Sequence, residues 1–242
     1  MSFYCYLTTT QAIVMAADNK KEVLNLSGGL HGTFRSEKVT AWNARKIHAV
    51  GSGWWMTGVG LSAFLDGIRA QVRNLLEDKA KEASAAVDVM ERLTAASQWV
   101  QSLHEQTVAR LMQAMPPGLE KAEWLEHQQE IVFAGFDGAG RPVVIRAQSA
   151  QGFAFERRTG AALLGFAGDN GRWNAAVIEA VDGILSNILD DLMRQPMEQA
   201  VHRAWDLIPP LFQRMARAFP EKLSASGDLL FLTPAEHRWF LF

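Results

Sequence analysis

Apolar and polar positions follow a strand-like pattern in several short stretches of the chain. Short apolar runs bounded by turn residues predict paired strands. Three hairpins are predicted, at 3–10 with 12–17, 46–50 with 54–58, and 131–137 with 142–148. Further strand is predicted near 153–155 and at 229–232 and 239–242.

Longer stretches have apolar residues at steps of three and four, which indicates amphipathic helices. Four such helices are predicted, at 64–76, 89–111, 177–192 and 201–215. Pro116-Pro117-Gly118 is expected to end the second helix, and Pro209-Pro210 to disturb the fourth. Residues 19–45 are rich in Lys, Asn, Gly and Ser, which predicts a long loop insertion rather than packed structure.

Strands and helices are segregated along the chain, so the pattern predicts an α+β protein. Two amphipathic helix pairs need two sheet faces on which to bury their apolar stripes. The economical arrangement is a four-layer αββα sandwich, in which two stacked antiparallel sheets are flanked by helix pairs. At 242 residues the chain is expected to form a single domain over 1–242.

Composition narrows the classes of function. With 48% apolar residues, 21% charged residues and a net charge of −2, neither nucleic acid nor an anionic membrane is an expected partner. No apolar run is long enough to cross a bilayer and no signal-peptide pattern is present, so a cytoplasmic location is expected. Cys5 is the only cysteine and the six histidines lack paired spacing, so no metal or other cofactor is assigned.

The chain begins with a candidate nucleophile. Ser2 follows Met1, and removal of an initiator Met before a small residue would leave Ser2 with a free α-amine beside its own hydroxyl. Such an amine titrates near about pH 8, so one residue can supply both nucleophile and general base. Taken singly, Asp18 also suits a strand-end turn and Lys46 a solvated surface.

The spacing of charged residues and glycines continues this pattern. Asp18 stands sixteen positions after Ser2, and Lys46 opens Lys46-Ile47-His48 and stands fourteen positions before Gly60 in Gly58-Val59-Gly60. In these features the chain resembles the proteasome β-subunit and HslV family of N-terminal nucleophile hydrolases. Among its members, the divergent bacterial proteasome homologues (BPH or Anbu type) that start directly after Met are the most similar. The resemblance is strong for residues 2–66 and diffuse beyond residue 150.

The resemblance implies a role for each residue. Ser2 would be the nucleophile, Asp18 would keep Lys46 charged and oriented, and the Gly60 amide would bind the oxyanion. Gly58 would be substrate-binding, at the wall of an open S1 pocket. The resemblance also implies a ring or double ring of identical subunits, a peptide or unfolded protein as substrate, and a possible ATP-driven unfoldase as partner.

Three departures from the family pattern bear on activity. Ser replaces the usual Thr at residue 2, Gly165-Phe166-Ala167-Gly168 lacks the family's supporting serine, and 221–227 lacks an Asp before Ser-Gly. Between Asp18 and Lys46 the chain also carries twelve more residues than the family. Two alternatives therefore stay open: a catalytically weak or inactive ring-forming homologue with a structural or interaction role, and an N-terminal amidohydrolase acting on small amides.

Overall fold

A computed structural model describes most of the chain. The described residues are 3–28, 34–41, 44–51, 53–79, 98–114, 129–168, 173, 175–220 and 223–242. Ser2, the predicted nucleophile, lies outside them.

Twelve strands and four α-helices occur in this part of the chain. The strands are β1 Tyr4–Thr8, β2 Ile13–Asp18, β3 Lys21–Gly28, β4 Phe34–Ala41, β5 His48–Gly51, β6 Trp54–Val59, β7 Glu130–Phe136, β8 Pro142–Gln148, β9 Phe155–Thr159, β10 Leu164–Ala167, β11 Gly227–Leu232 and β12 His237–Leu241. The helices are α1 Ser62–Lys79, α2 Gln98–Ala114, α3 Ala175–Arg194 and α4 Met197–Ala218.

Ten strands form two five-stranded antiparallel sheets. The first sheet has the order β10-β1-β2-β11-β12, and the second has the order β5-β6-β7-β8-β9. β3 and β4 pair only with each other, as a two-stranded ribbon between β2 and β5 in the chain. The predicted α+β class with two antiparallel sheets is therefore confirmed.

Three apolar cores define how these elements stack. One core joins the first sheet to α3 and α4, a second joins the second sheet to α1 and α2, and a third lies between the two sheets. β1 shows the division, since Cys5 and Leu7 face the helices while Tyr4 and Tyr6 face the other sheet. This alternation is the period-2 pattern of a strand buried on both faces. The two sheets are thus stacked face to face, each covered on its outer side by a helix pair.

One expectation about local structure is wrong, and a second stays a prediction, since the structure shows only where its residues lie. The loop predicted over 19–45 contains β3 and β4, which pair over eight residues each, because the ladder is made by backbone groups that polar residues supply as well as apolar ones. Pro209 and Pro210 lie inside α4 without ending it, because burial of its apolar stripe on the first sheet outweighs the lost backbone hydrogen bonds. The predicted start of the second helix near residue 89 and its stop at 116–118 lie outside the described residues.

Candidate functional site

Asp18 ends β2, the middle strand of the first sheet, and its carboxylate is fully buried. Oδ1 accepts hydrogen bonds from the Phe3 amide nitrogen at 2.7 Å and from Lys46 Nζ at 2.8 Å. Oδ2 accepts longer ones from the amide nitrogens of Lys20 at 3.3 Å and Ser224 at 3.5 Å. Four donors match the acceptor capacity of a carboxylate, so this group joins the start of β1, the entry to β5 and the loop before β11.

Lys46 lies two residues before β5, and its side chain is only 11% exposed. Its Nζ forms the ion pair with Asp18, and its backbone nitrogen donates to Asp228 Oδ2 at 3.3 Å. Burial lowers the pKa of Lys46 from its ordinary value, and the negative charge of Asp18 opposes that shift. Asp18 and Lys46, 28 residues apart in sequence, are therefore together as predicted.

The first described residue is fixed on the same carboxylate. Phe3 donates its amide to Asp18 Oδ1, and its carbonyl oxygen accepts from the Asp18 amide at 2.9 Å. The Phe3 nitrogen belongs to the peptide bond that joins it to Ser2, and consecutive Cα atoms are about 3.8 Å apart. The role of Ser2 as nucleophile stays a prediction.

A second carboxylate, which is not among the predicted site residues, borders the ion pair. Asp228 lies on β11 beside Ala17 of β2, and its side chain is buried. Burial raises the pKa of Asp228, while hydrogen bonding from the Lys46 amide and the charge of Arg45 lower it. The expected position for a supporting acid was before the Ser-Gly pair, whereas this acid comes directly after Ser226-Gly227.

The serines ahead of Asp228 are linked to the end of β2. The hydroxyls of Ser224 and Ser226 are 2.8 Å apart, and Ser226 Oγ donates to Asn19 Oδ1 at 2.9 Å. The Asn19 amide in turn donates to the Ser226 carbonyl oxygen at 3.2 Å. The run Ser-x-Ser-Gly-Asp at the start of a predicted strand is the sequence signal for this arrangement.

Gly58 and Gly60 lie at the end of β6, in the second sheet. Gly60 has a φ of +126°, a conformation that L side chains rarely adopt, and a Cβ there would overlap the Gln129 carboxamide. A Cβ at Gly58 would overlap the Glu130 carbonyl oxygen and come within 3.0 Å of Leu65. The position that a Cβ would take at Gly58 is therefore occupied, and the substrate-binding role of Gly58 stays a prediction.

The core between the sheets contains a chain neighbour of each predicted site residue that the structure describes, Gly58 included. Asp18, Lys46 and Gly60 each have a chain neighbour in that core, namely Ala17, Ile47 and Val59. The ion pair and the Gly60 turn therefore border the same inter-sheet region.

Aromatic side chains occupy the segment in which a supporting serine was expected. β10 pairs with β1, with Ala167 opposite Tyr4, so residues 165–168 do lie beside the start of β1. The ring of Trp173 has its centroid 6.3 Å from that of Phe166 and 5.6 Å from that of Phe3. The side chain of Phe3 is thus anchored among aromatic rings on the helix-facing side of the sheet.

Comparison with known proteins adds no family assignment. No protein-family model matches the chain, and no curated protein matches it. Among the described residues, no three His, Cys, Asp or Glu side chains are grouped as a metal site requires. In the same part of the chain, no helix combines the length and the apolarity needed to span a bilayer.

Proposed function

We propose that this protein is an N-terminal nucleophile peptidase of the threonine-peptidase-like class, with Ser2 as nucleophile after removal of Met1. The observation that carries the proposal is the buried Asp18–Lys46 ion pair, with Nζ and Oδ1 2.8 Å apart. The same Oδ1 accepts from the nitrogen of the peptide bond that follows Ser2. A carboxylate bonded to the peptide that joins Ser2 to Phe3, with a cation on the same oxygen, suits an α-amine and a hydroxyl of Ser2 that react together.

In this mechanism the Ser2 amine takes the proton of the Ser2 hydroxyl as the oxygen attacks a peptide carbonyl carbon. The Lys46 ammonium favours the developing alkoxide and lowers the pKa of the nearby amine. The protonated amine then gives its proton to the leaving nitrogen as the peptide C–N bond breaks. The resulting ester on Ser2 is hydrolysed by a water molecule that the same amine deprotonates.

The Gly60 amide would bind the oxyanion of the tetrahedral intermediate. Removing one such donor typically lowers kcat roughly 100- to 1000-fold. α1 begins two residues after Gly60, at Ser62, so the positive end of its dipole points toward the same turn. Both features support a site at which negative charge develops.

The proposal extends to fold family and assembly. Two stacked sheets between helix pairs agree with an N-terminal nucleophile hydrolase fold, and identical subunits would form a ring or double ring in the cytoplasm. A peptide or unfolded protein would be the substrate, and an ATP-driven unfoldase could deliver it.

A second candidate is favoured by the aromatic rings of Phe166 and Trp173. Phe166 lies beside the start of β1, in the segment where the family carries a serine that supports the nucleophile's amine, and the ring of Trp173 stacks on it. A ring-forming homologue with weak or no turnover, and with a structural or interaction role, would explain this replacement.

Intact mass, labelling and sedimentation test these proposals together. The purified chain should lack Met1, and a peptide epoxyketone should modify wild type and Ser2→Thr but not Ser2→Ala. Ser102→Ala, on the exposed face of α2, is the matched control and should react like wild type. An intact Met1 in active protein, or equal labelling of Ser2→Ala, would refute the peptidase. Assembled rings without turnover would favour the second candidate, and an active monomer limited to small amides would favour an amidohydrolase.

A further inference from the structure

The side chain of Gln129 fills the space beside Gly60. Gln129 lies directly before β7 and is only 1% exposed. Its Oε1 accepts a hydrogen bond from the Leu61 amide nitrogen at 2.5 Å. The same carboxamide occupies the position that a Cβ on residue 60 would take. Gln129 therefore packs against the turn at the position that a side chain on residue 60 would otherwise take.

Gln129 is itself held in place at the backbone. Its amide nitrogen donates to Ser149 Oγ at 2.9 Å, and its carbonyl oxygen accepts from the Ser149 amide at 2.9 Å. The next residue, Glu130, pairs with Val59 in the β6–β7 ladder. Gln129 therefore faces Gly60 one step beyond the last ladder pair.

The turn needs this support because glycine alone does not fix it. A glycine has access to more backbone conformations than any other residue, and φ at Gly60 is +126°. The Leu61 carbonyl oxygen accepts the first hydrogen bond of α1, from Leu65 at 3.0 Å, so Leu61 stands at the helix start. An amide at that position has no acceptor within the helix. The Gln129 carboxamide supplies that acceptor.

We infer that Gln129 is a positioning residue for the proposed reaction. Its carboxamide fixes the Gly60–Leu61 peptide, and thereby limits the directions in which the neighbouring Gly60 amide can point. An oxyanion donor must lie about 2.7–3.1 Å from the oxyanion, and a misplacement of about 1 Å can cost roughly 100-fold in rate. This inference rests on the proposed function, and it identifies Gln129 as the residue that holds the proposed oxyanion donor, the Gly60 amide, in position.

The test uses Gln129→Met, which keeps the length of the side chain and removes the acceptor. Gln113→Met, on the exposed face of α2, is the matched control. In the intact chain, Gln129→Met should lower kcat and the rate of epoxyketone labelling by about 10- to 100-fold with KM within about threefold. Gln113→Met should leave all three unchanged.

Hydrogen exchange supplies a readout that does not depend on turnover. Exchange at the Leu61 amide should be at least about tenfold faster in Gln129→Met, because the amide loses its acceptor. Gln129→Glu keeps an oxygen acceptor and should retain the slow exchange of wild type.

Each outcome separates this inference from the proposed function. If wild type reacts through Ser2 and Gln129→Met reacts equally fast, the inference is wrong and the proposed function stands. Unchanged exchange at Leu61 in Gln129→Met, or a rate loss explained entirely by a higher KM or by unfolding in urea, also overturns the inference. If wild type does not react through Ser2, the proposed function is wrong and the positioning role falls with it.

Discussion

Replacing Lys46 by Met should destabilise the protein less than replacing Asp18 by Asn, because the two partners of this ion pair are supported unequally. Lys46→Met removes one of the four donors to the Asp18 carboxylate and leaves three backbone amides in place. Asp18→Asn keeps one acceptor oxygen but presents an NH2 group where an acceptor stood. It also leaves the Lys46 ammonium, 11% exposed, without its carboxylate.

The expected costs follow from these contacts. A hydrogen bond to a charged group contributes about 1.5–3 kcal/mol. The loss in Lys46→Met falls toward the lower end of that range, because the substitution also removes the cost of burying the ammonium, which is the main cause of the lowered pKa of Lys46. Asp18→Asn removes the carboxylate bonded to a buried ammonium, and removal of one partner from a buried ion pair typically costs about 3–5 kcal/mol. A difference of about 2 kcal/mol between the two variants is therefore expected.

Urea unfolding followed by far-UV circular dichroism at pH 7 and at one protein concentration measures both costs. Asp182→Asn, on the exposed face of α3, is the matched control and should change the free energy of unfolding by less than about 0.5 kcal/mol. The double variant should show a coupling of at least about 1 kcal/mol. The reasoning is refuted if Lys46→Met costs as much as Asp18→Asn, or if the two costs simply add.

Two further predictions concern groups away from this ion pair. The buried Glu130 carboxylate accepts hydrogen bonds from Tyr4, Arg146 and Gln148. In urea unfolding, Tyr4→Phe should cost about 1 kcal/mol, whereas Glu130→Ala should cost about 3–5 kcal/mol because Arg146 loses this carboxylate. Equal costs for the two variants would contradict this prediction. Burial raises the pKa of Cys5 from 9.0 to about 12, so iodoacetamide at pH 8 should modify the thiol only after unfolding, and modification of the folded protein would count against it. As pH rises, the Cys5 thiol ionises in the unfolded chain before it ionises in the folded protein. The contribution of Cys5 to the free energy of unfolding is therefore complete below pH 9 and is lost as pH rises toward 12.

Local patterns predicted most of the hairpins whose strands are close in sequence, with the β3–β4 ribbon as the exception. β1 with β2 and β7 with β8 are joined by short turns, so an apolar run and its turn residues together indicate the hairpin. β10 was missed because it has only four residues and pairs with β1, far away in the chain. A short strand of this kind is specified by its partner rather than by its own sequence.

Some residues of the candidate site were also predicted from the sequence, and others were missed. Asp18 and Lys46 were predicted from their spacing and the resemblance it carries, and the geometry brings them together. Gln129 and Asp228 were missed because each acts on a backbone amide, 68 residues from Gln129 and 182 residues from Asp228. The identity of the residue that supplies such an amide does not mark the contact in the sequence, since any residue can supply it.

The position of the β3–β4 ribbon explains how the insertion and the ion pair coexist. The ribbon begins three residues after Asp18 and ends five residues before Lys46, so it lies between the two partners in the sequence. The Ala44 amide donates to the Asn19 carbonyl oxygen at 2.8 Å, and this bond closes the base of the ribbon. Because the entropy cost of closing a loop grows only slowly with its length, lengthening the ribbon changes little once its base is fixed. A segment of this length is therefore compatible with an intact pair, and shortening the ribbon between residues 19 and 44 should leave the Asp18–Lys46 contact in place.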